Sequence, residues 1–202
     1  FTLMSLTLLH PIIAALDALD VDALDALAFC DCCALVLPVL DNLGVAFAPA
    51  KSDVKGNIER LREAAMASGG GAIAVWDVIR AEKARGEASG SKSVSRGTLW
   101  LKRFLEFTCD LLRRLGSDRA LKVGDASNAS YKQTLAPFHG WMSKTAFSVV
   151  LSFPPSTSTF VASLGGDAAY EAMSTMSSKF EPFLNRIDSF LTDEGLNDPT
   201  PV

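Results

Sequence analysis

The sequence has 202 residues, which is the size of one domain and is long enough to bury a sizeable core. Hydrophobic residues make up 49% of it and charged residues 21%, a composition that excludes a disordered, collagen-like or highly charged chain. The formal net charge is -4 and the pI is about 5.2, so the chain lacks the global basic field that nucleic-acid-binding proteins use, and we expect no nucleic-acid partner.

Nearly every periodic segment favours a helix, and no strand-like alternation competes with this pattern. In chain order, the predicted helices cover residues 12–28, 30–43, 52–67, 72–85, 96–115, 127–152 and 179–191. Ser52 is a candidate N-cap, Pro38 is expected to kink or end the second helix, and the stretches at 68–71 and 153–159 are predicted breaks. We therefore predict one all-α domain over residues 1–202, with about eight helices and with less order at 1–11 and 193–202.

Targeting and redox features favour a cytoplasmic protein. The apolar N-terminal stretch has no basic region before it, and its aspartates recur at roughly helical spacing, which is typical of an amphipathic helix rather than a signal peptide. Cys30, Cys32 and Cys33 do not form a CxxC pair, and the chain has two histidines, so we expect small buried thiols, no metal and no cofactor.

Two helices each place polar groups on one face at spacing i, i+4, i+7. Asp53, Asn57 and Arg60 offer a carboxylate, an amide and a guanidinium together, although a solvated helix face would have the same spacing. Arg96 and Arg103 flank Trp100 by one turn on either side. Indole offers a flat surface for a sugar ring and arginine suits an anionic oxygen, but a tryptophan at a helix junction with arginine stems along it is equally compatible.

A third group is Phe138-His139-Gly140-Trp141, in which a glycine follows one of the two histidines. A lone histidine is more often a satisfied structural residue than a ligand or base, and Pro137 can simply start a helix. The order and spacing of the three groups are more informative than any of them alone.

Together the three groups resemble the glycolipid transfer protein superfamily. The matching segments are DVKGNIERL (53–61), LWLKRFLEF (99–107) and FHGWMSKTAF (138–147), with VWDVIRAEK (75–83) between the first two, and the resemblance covers roughly residues 30–192. It implies a two-layer helical sandwich that binds a single sphingolipid, with the chains in an apolar pocket and the headgroup on a surface polar site. It also implies a non-enzymatic function, namely sphingolipid transfer between membranes.

The resemblance implies a role for each matching residue. Asp53 would accept a hydrogen bond from the ceramide amide, Asn57 and Arg60 would bind sugar hydroxyls, and Trp100 would be the platform for the first sugar ring. His139 would orient the amide and carbonyl region of the lipid. Trp141 is similar to a residue that the family uses to dock on membranes. From the residues themselves we add Arg96 and Arg103 to the headgroup site and Lys144 to the docking region.

Removing two lipid chains from a bilayer exposes many methylenes, each costing about 0.8 kcal/mol, so an apolar sleeve is required. The aromatic and aliphatic residues expected to contribute to it are Phe104, Phe107, Leu135, Phe147, Val150, Leu151, Phe180, Phe183 and Ile187.

The sequence departs from the family pattern at Arg96, since typical glycolipid carriers have an apolar residue one turn before the stacking tryptophan. Relatives that carry ceramide-1-phosphate have arginines at both positions and a lysine in place of the asparagine. Asn57 and Trp100 therefore favour a sugar, and Arg96 favours an anionic group, which a sulfated or otherwise anionic glycosphingolipid would combine. Ceramide-1-phosphate is the alternative.

Other classes of function are less well supported by the sequence. It contains no G-x-S-x-G, P-loop, GxGxxG or H-E-x-x-H motif, and we expect no enzymatic activity. A lipid sensor with the same pocket and a helical protein-interaction module are the alternatives. As a carrier, the chain is expected to be a monomer that contacts membranes only transiently, because no strongly basic amphipathic helix or lipidation motif is present.

Overall fold

The computed structural model describes residues 7–69 and 71–201, and within them the chain is all-helical. Ten α-helices and two short 3-10 helices make up the described part, which confirms the prediction of a single all-α domain. The α-helices are α1 (His10–Asp17), α2 (Ala26–Ala34), α3 (Leu37–Asp41), α4 (Ala48–Ala67), α5 (Val75–Ala84), α6 (Val94–Ser117), α7 (Val123–Thr134), α8 (Trp141–Leu151), α9 (Thr157–Leu164) and α10 (Ala168–Asp193). The 3-10 helices are Val45–Phe47 and Ala136–Phe138.

Helix α6 lies at the centre of the fold, and α4, α7 and α10 pack around it. Its apolar residues, among them Leu101, Phe107 and Leu112, are almost fully buried, which explains why this segment has the strongest helical pattern in the sequence. Helices α2 and α3 pack on α4, and α1 packs on α2 and α10. The faces of α4 and α6 that carry the predicted polar groups therefore belong to neighbouring helices.

The predicted helix at 12–28 is wrong, because the chain leaves α1 after Asp17 and begins α2 only at Ala26. Asp25, expected on a helical face, is instead the N-cap of α2: its Oδ1 accepts from the Ala28 amide at 2.8 Å and its Oδ2 from the Ile73 amide at 3.2 Å. The predicted helix over 30–43 is interrupted before Pro38, as expected, because α2 ends at Ala34 and α3 begins at Leu37. Pro38 lies in the first turn of α3, where its missing N–H costs nothing.

Three other boundaries also differ from the prediction. Ser52 is not an N-cap, because α4 already begins at Ala48 with Pro49 in its first turn. The predicted helix at 127–152 is divided by the 3-10 helix and an extended His139, and part of the predicted break at 153–159 belongs to α9.

The last helix begins at Ala168 rather than 179. Ser177 is tolerated inside it because its buried hydroxyl donates to the carbonyls of Met173 and Cys109.

The C-terminal segment, which we expected to be less ordered, contacts the body of the protein. The Asn197 side chain donates to Asp188 at 3.1 Å, and the Asp198 carbonyl accepts from Arg103 at 2.5 Å. The stop predicted at 68–71 includes Gly70, which lies outside the described residues, as do residues 1–6 of the N-terminal segment. Among the helices of the described ranges, none is long and apolar enough to cross a bilayer.

The cysteines are buried free thiols. Burial raises the pKa of Cys30 and of Cys32 to about 12, so both thiols are protonated at neutral pH.

Candidate functional site

The polar face of α4 is held together by hydrogen bonds between its own side chains. Asn57 Nδ2 donates to Asp53 Oδ2 at 3.1 Å, and Arg60 Nη1 donates to Asn57 Oδ1 at 3.0 Å. Asn57 is only 4% exposed, whereas Asp53 is exposed and Arg60 is half-buried. The amide therefore orients the carboxylate of Asp53 and the guanidinium of Arg60.

This face fits closely against α6 because Gly97 has no side chain. A Cβ at Gly97 would lie 2.8 Å from Arg60 Nη1 and 3.3 Å from Asn57 Oδ1. The glycine was not among the predicted site residues. Its signal in the sequence was a glycine inside an otherwise strong helical pattern, where glycine is unfavourable unless packing requires it.

The beginning of α6 is fixed by a buried carboxylate from α5. Glu82, which is 4% exposed, accepts from the Val94 amide at 2.6 Å, the Ser95 amide at 2.8 Å and the Ser95 hydroxyl at 2.5 Å. A negative charge at a helix N-terminus also interacts favourably with the helix dipole. These contacts place Arg96 and Trp100, which follow in the first turns of α6, opposite the polar face of α4.

His139 reaches the site because the chain changes direction between α7 and α8. Its imidazole stacks on the Trp100 ring, with centroids 5.7 Å apart and an interplanar angle of 27°, and its Nδ1 lies 3.1 Å from the Tyr131 hydroxyl. Burial, together with the charges of Lys144 and Arg103, lowers the pKa of His139 below its usual value, so the imidazole is neutral at pH 7. A neutral imidazole has one donor and one acceptor nitrogen, and the Tyr131 hydroxyl lies at Nδ1.

These residues line a polar cleft that adjoins an apolar cavity. The cleft, of about 380 Å³, is lined by Asp53, Asn57, Arg60, Ser91, Arg96, Trp100, His139 and Ser143. The cavity, of about 330 Å³, is lined by Pro49, Ala50, Asp53, Trp100, Phe104, Leu135, His139, Ser143, Ala146, Phe147 and Val150. Asp53, Trp100, His139 and Ser143 border both spaces. The arrangement is chemically suited to an amphiphile whose polar part ends where its apolar part begins.

Arg103 does not line the cleft, in contrast to its predicted place in the headgroup site. Its guanidinium is 1% exposed and lies 3.6 Å from the Phe138 ring centroid and 5.1 Å from that of Trp100. Arg103 lies on the same face of α6 as Arg96, but two turns further along, where the Phe138 ring and the C-terminal residues Asn197 and Asp198 cover it. Arg103 therefore supports the site from behind.

The residues predicted for the lipid-chain pocket fall into two groups. Phe104, Leu135, Phe147 and Val150 line the apolar cavity, and Phe107 packs directly behind Phe104 and Phe147. The structure places the others in the buried core without bringing them to the cavity wall: Leu151, Phe180, Phe183 and Ile187.

An exposed apolar patch extends from the start of α8. Trp141 is 78% exposed and Met142 66%, while Phe153, just after α8, is 70% exposed. Lys144, the other predicted docking residue, is also exposed. Trp141 and Met142 are neighbours at the start of α8, and two large exposed apolar side chains side by side are typical of an interaction site, whereas Phe153 follows the other end of the helix.

The comparisons with known proteins agree with this geometry. A family model described as Glycolipid transfer protein (GLTP) matches residues 24–166. Glycolipid transfer protein 1 of Arabidopsis thaliana is 32% identical over 171 residues, which cover 84% of this chain and 85% of that protein. The chain belongs to the glycolipid transfer protein family.

Solved structures show the same fold. One of them concerns how FAPP2 selects simple glycosphingolipids using the GLTP fold. This chain matches that structure with a TM-score of 0.82 and 26% sequence identity, and the match covers 100% of this chain and 98% of that one. Arabidopsis accelerated-cell-death 11, in a mutant form complexed with ceramide-1-phosphate, has a TM-score of 0.85 and 23% identity, with 94% of this chain and 98% of that chain covered. At that identity the second likeness shows the fold alone.

Proposed function

We propose that this chain is a non-enzymatic carrier that binds one sphingolipid and moves it between membranes. The observation that supports this most directly is the shared border of the polar cleft and the apolar cavity, formed by Asp53, Trp100, His139 and Ser143. A sphingolipid has its amide at the junction between headgroup and chains. Burying that amide requires an acceptor and a donor, which the Asp53 carboxylate and the His139 imidazole supply.

The headgroup we propose carries both sugar hydroxyls and an anionic substituent. Arg60 and Arg96 bring two positive charges to the cleft and Asp53 brings one negative charge, so the lining is cationic overall. Trp100 adds a flat apolar surface suited to a sugar ring, and Arg96 adds a guanidinium suited to a sulfate or phosphate oxygen. Ceramide-1-phosphate, which uses the same two arginines but not the indole surface, is the second candidate.

The cavity is smaller than two long lipid chains would fill. We expect buried apolar side chains, among them Phe107, Leu151, Phe180, Phe183 and Ile187, to separate when the chains enter, because they belong to the same apolar core as the cavity walls. Docking on the membrane would use the exposed patch at Trp141 and Met142, with Lys144 near the lipid phosphates. In this proposal the membrane contact is brief and the chain acts as a monomer in the cytoplasm.

The test is a transfer assay between vesicles with a fluorescent sphingolipid. Trp100→Ala and Asp53→Val are expected to abolish transfer while the helical circular dichroism stays unchanged, because each removes a group at the border of cleft and cavity. Glu63→Val, at an exposed position on the same helix as Asp53, is the matched control and should transfer normally. Normal transfer by both site variants would contradict the headgroup assignment.

Competition identifies the headgroup. Unlabelled glucosylceramide, galactosylceramide, sulfatide, sphingomyelin and ceramide-1-phosphate are each added to the donor vesicles, and we expect sulfatide to compete best. Arg96→Leu should move the preference from anionic heads toward neutral sugars. If wild type and Arg96→Leu transferred both lipid types equally well, the role given to Arg96 would be wrong.

A further inference from the structure

Arg103 is a buried cation that contacts three separate parts of the chain. Its guanidinium stacks on Phe138, the residue before His139, and lies 5.1 Å from the centre of the Trp100 ring. Its Nη2 donates to the Asp198 carbonyl at 2.5 Å and lies 3.5 Å from Asn197 Oδ1. One side chain therefore joins the helix that carries Trp100, the turn that carries His139, and the C-terminal segment.

Burying the guanidinium of Arg103 is unfavourable, so the groups that contact it must offset that free-energy cost. It is 1% exposed, and its Nε is buried without a hydrogen-bond partner in the described part of the chain. Burial of an incompletely paired charge is unfavourable unless the remaining contacts hold it strongly. The two aromatic faces and the Asp198 carbonyl are those contacts, so the guanidinium and its three partners constrain one another.

The C-terminal segment is itself anchored, and it does not merely cover the surface. Asn197 Nδ2 donates to Asp188 on α10 at 3.1 Å, and the Asn197 amide donates to the Leu191 carbonyl at 3.1 Å. Residues 196–199 line a groove of about 720 Å³ that also includes Arg96. The segment thus gives Arg103 a fixed acceptor beside the polar cleft.

From these contacts we infer that Arg103 is a positioning residue, which holds the Trp100 ring and the Phe138–His139 turn in register by tying both to the C-terminal segment at Asp198. It does not touch the ligand itself, because it is buried behind the cleft. The inference rests on the proposed function insofar as Trp100 and His139 are taken as ligand-binding residues.

The test uses the imidazole as a reporter of position. The chain has two histidines, His10 and His139, and His139 stacks on Trp100 and has the tilted Tyr131 ring 5.6 Å from its own. In proton NMR of the lipid-free protein, ring currents should shift the His139 signal, and Arg103→Met should move that signal toward its position in the unfolded chain. The His10 signal should stay in place. Arg103→Lys, which keeps the charge and a donor for Asp198, should give an intermediate position.

Deletion of residues 197–202 provides a second variant that leaves Arg103 in place and removes its acceptor. It should reproduce the NMR change of Arg103→Met, and the two changes combined should have no larger effect than either alone. Affinity for the preferred sphingolipid should fall roughly tenfold in each, the effect expected from losing one charged hydrogen bond. Arg113→Met, the same substitution at an exposed position of α6, is the control that should change neither measurement.

Two results would overturn the inference. One is a wild-type His139 signal and affinity in both Arg103→Met and the deletion. The other is a joint loss of helicity and affinity in Arg103→Met while the deletion keeps both, because Arg103 would then be merely structural. Absence of sphingolipid binding by the wild-type chain would contradict the proposed function alone, since the NMR measurement is made without lipid.

Discussion

Glu82→Gln tests how strongly α5 holds the beginning of α6. The substitution keeps the size of the side chain and replaces one of two buried carboxylate oxygens by an NH2 group. In the wild type, one oxygen accepts from the Val94 amide and the other accepts twice from Ser95. The glutamine oxygen can keep the two bonds to Ser95, but its NH2 group must then face the N–H of Val94.

The expected loss of stability follows from these three bonds. A hydrogen bond to a charged group contributes about 1.5–3 kcal/mol and a neutral one about 0.5–1.5 kcal/mol, so two bonds are weakened and one is lost. An unpaired buried N–H adds a penalty, and the charge at the helix N-terminus is removed as well. We expect the free energy of unfolding to fall by about 3 kcal/mol, which corresponds to a Tm lower by roughly 6–12 °C for a chain of this length.

Urea denaturation followed by circular dichroism measures this change, with an unchanged m-value as the sign that the folded and unfolded states keep their exposed areas. Glu87→Gln is the control, because Glu87 pairs with Arg85 at 2.8 Å on the surface, and its side chain is 59% exposed. The control should lose about 0.5 kcal/mol or less. A loss below about 1 kcal/mol for Glu82→Gln would refute the argument that this carboxylate fixes the start of α6.

Three further predictions concern the site and the core. Gly97→Ala should weaken binding of a headgroup-bearing sphingolipid severalfold, because the new methyl displaces the Arg60 guanidinium from Asn57. The free energy of unfolding should change by only about 1 kcal/mol, because the crowding at Asn57 is offset by the higher helix propensity of alanine. Parallel lipid titration and urea denaturation check this, and a loss of stability that matches the loss of binding would contradict it. Because the pKa of His139 is lowered in the folded chain, the unfolded chain takes up this proton first as the pH falls. The stability that is present above about pH 6.5 therefore decreases below that pH. His139→Gln should flatten this dependence in urea denaturation between about pH 7.5 and pH 5.5, and an unchanged slope would count against it. Burial raises the pKa values of Cys30 and Cys32 to about 12, so both thiols should react with a thiol reagent at about pH 8 only after the chain unfolds. Labelling is quantified by mass spectrometry, and rapid labelling of the native chain would show that the thiols are accessible.

The side-chain groups of the site could be predicted from the sequence because each lies within one helix or one turn. The spacing of Asp53, Asn57 and Arg60 is a local property, and the structure indeed brings all three to one cleft. The same holds for Arg96 and Trp100. Which helices face one another depends on the tertiary structure, and helical periodicity does not predict it. The resemblance to a known family predicted that the polar groups of different helices share one site.

The contacts that sequence reasoning missed are those between elements. Asp25 has the spacing of a helical face, but its two oxygens cap α2 and accept from the amide of Ile73, far along the chain. Tyr131 has no local signal for its contact with His139, because α7 and the turn before α8 meet only after folding. The place of Arg103 likewise depends on the C-terminal segment, whose polar composition predicts little order by itself.

Helix α6 performs two tasks that the structure keeps apart. On one side, Gly97 and Trp100 face the cleft, where a substitution changes what a ligand meets. On the other side lies a buried cation, Lys102, which pairs with Glu106 at 2.9 Å and with Asp188. Replacing Lys102 by an apolar residue leaves both carboxylates without their cation and destabilises the folded domain. Effects on binding and on folding should therefore separate for Gly97 and Trp100 and coincide for Lys102. Arg103, which is buried but contacts the Trp100 ring, should affect binding while the helicity is kept.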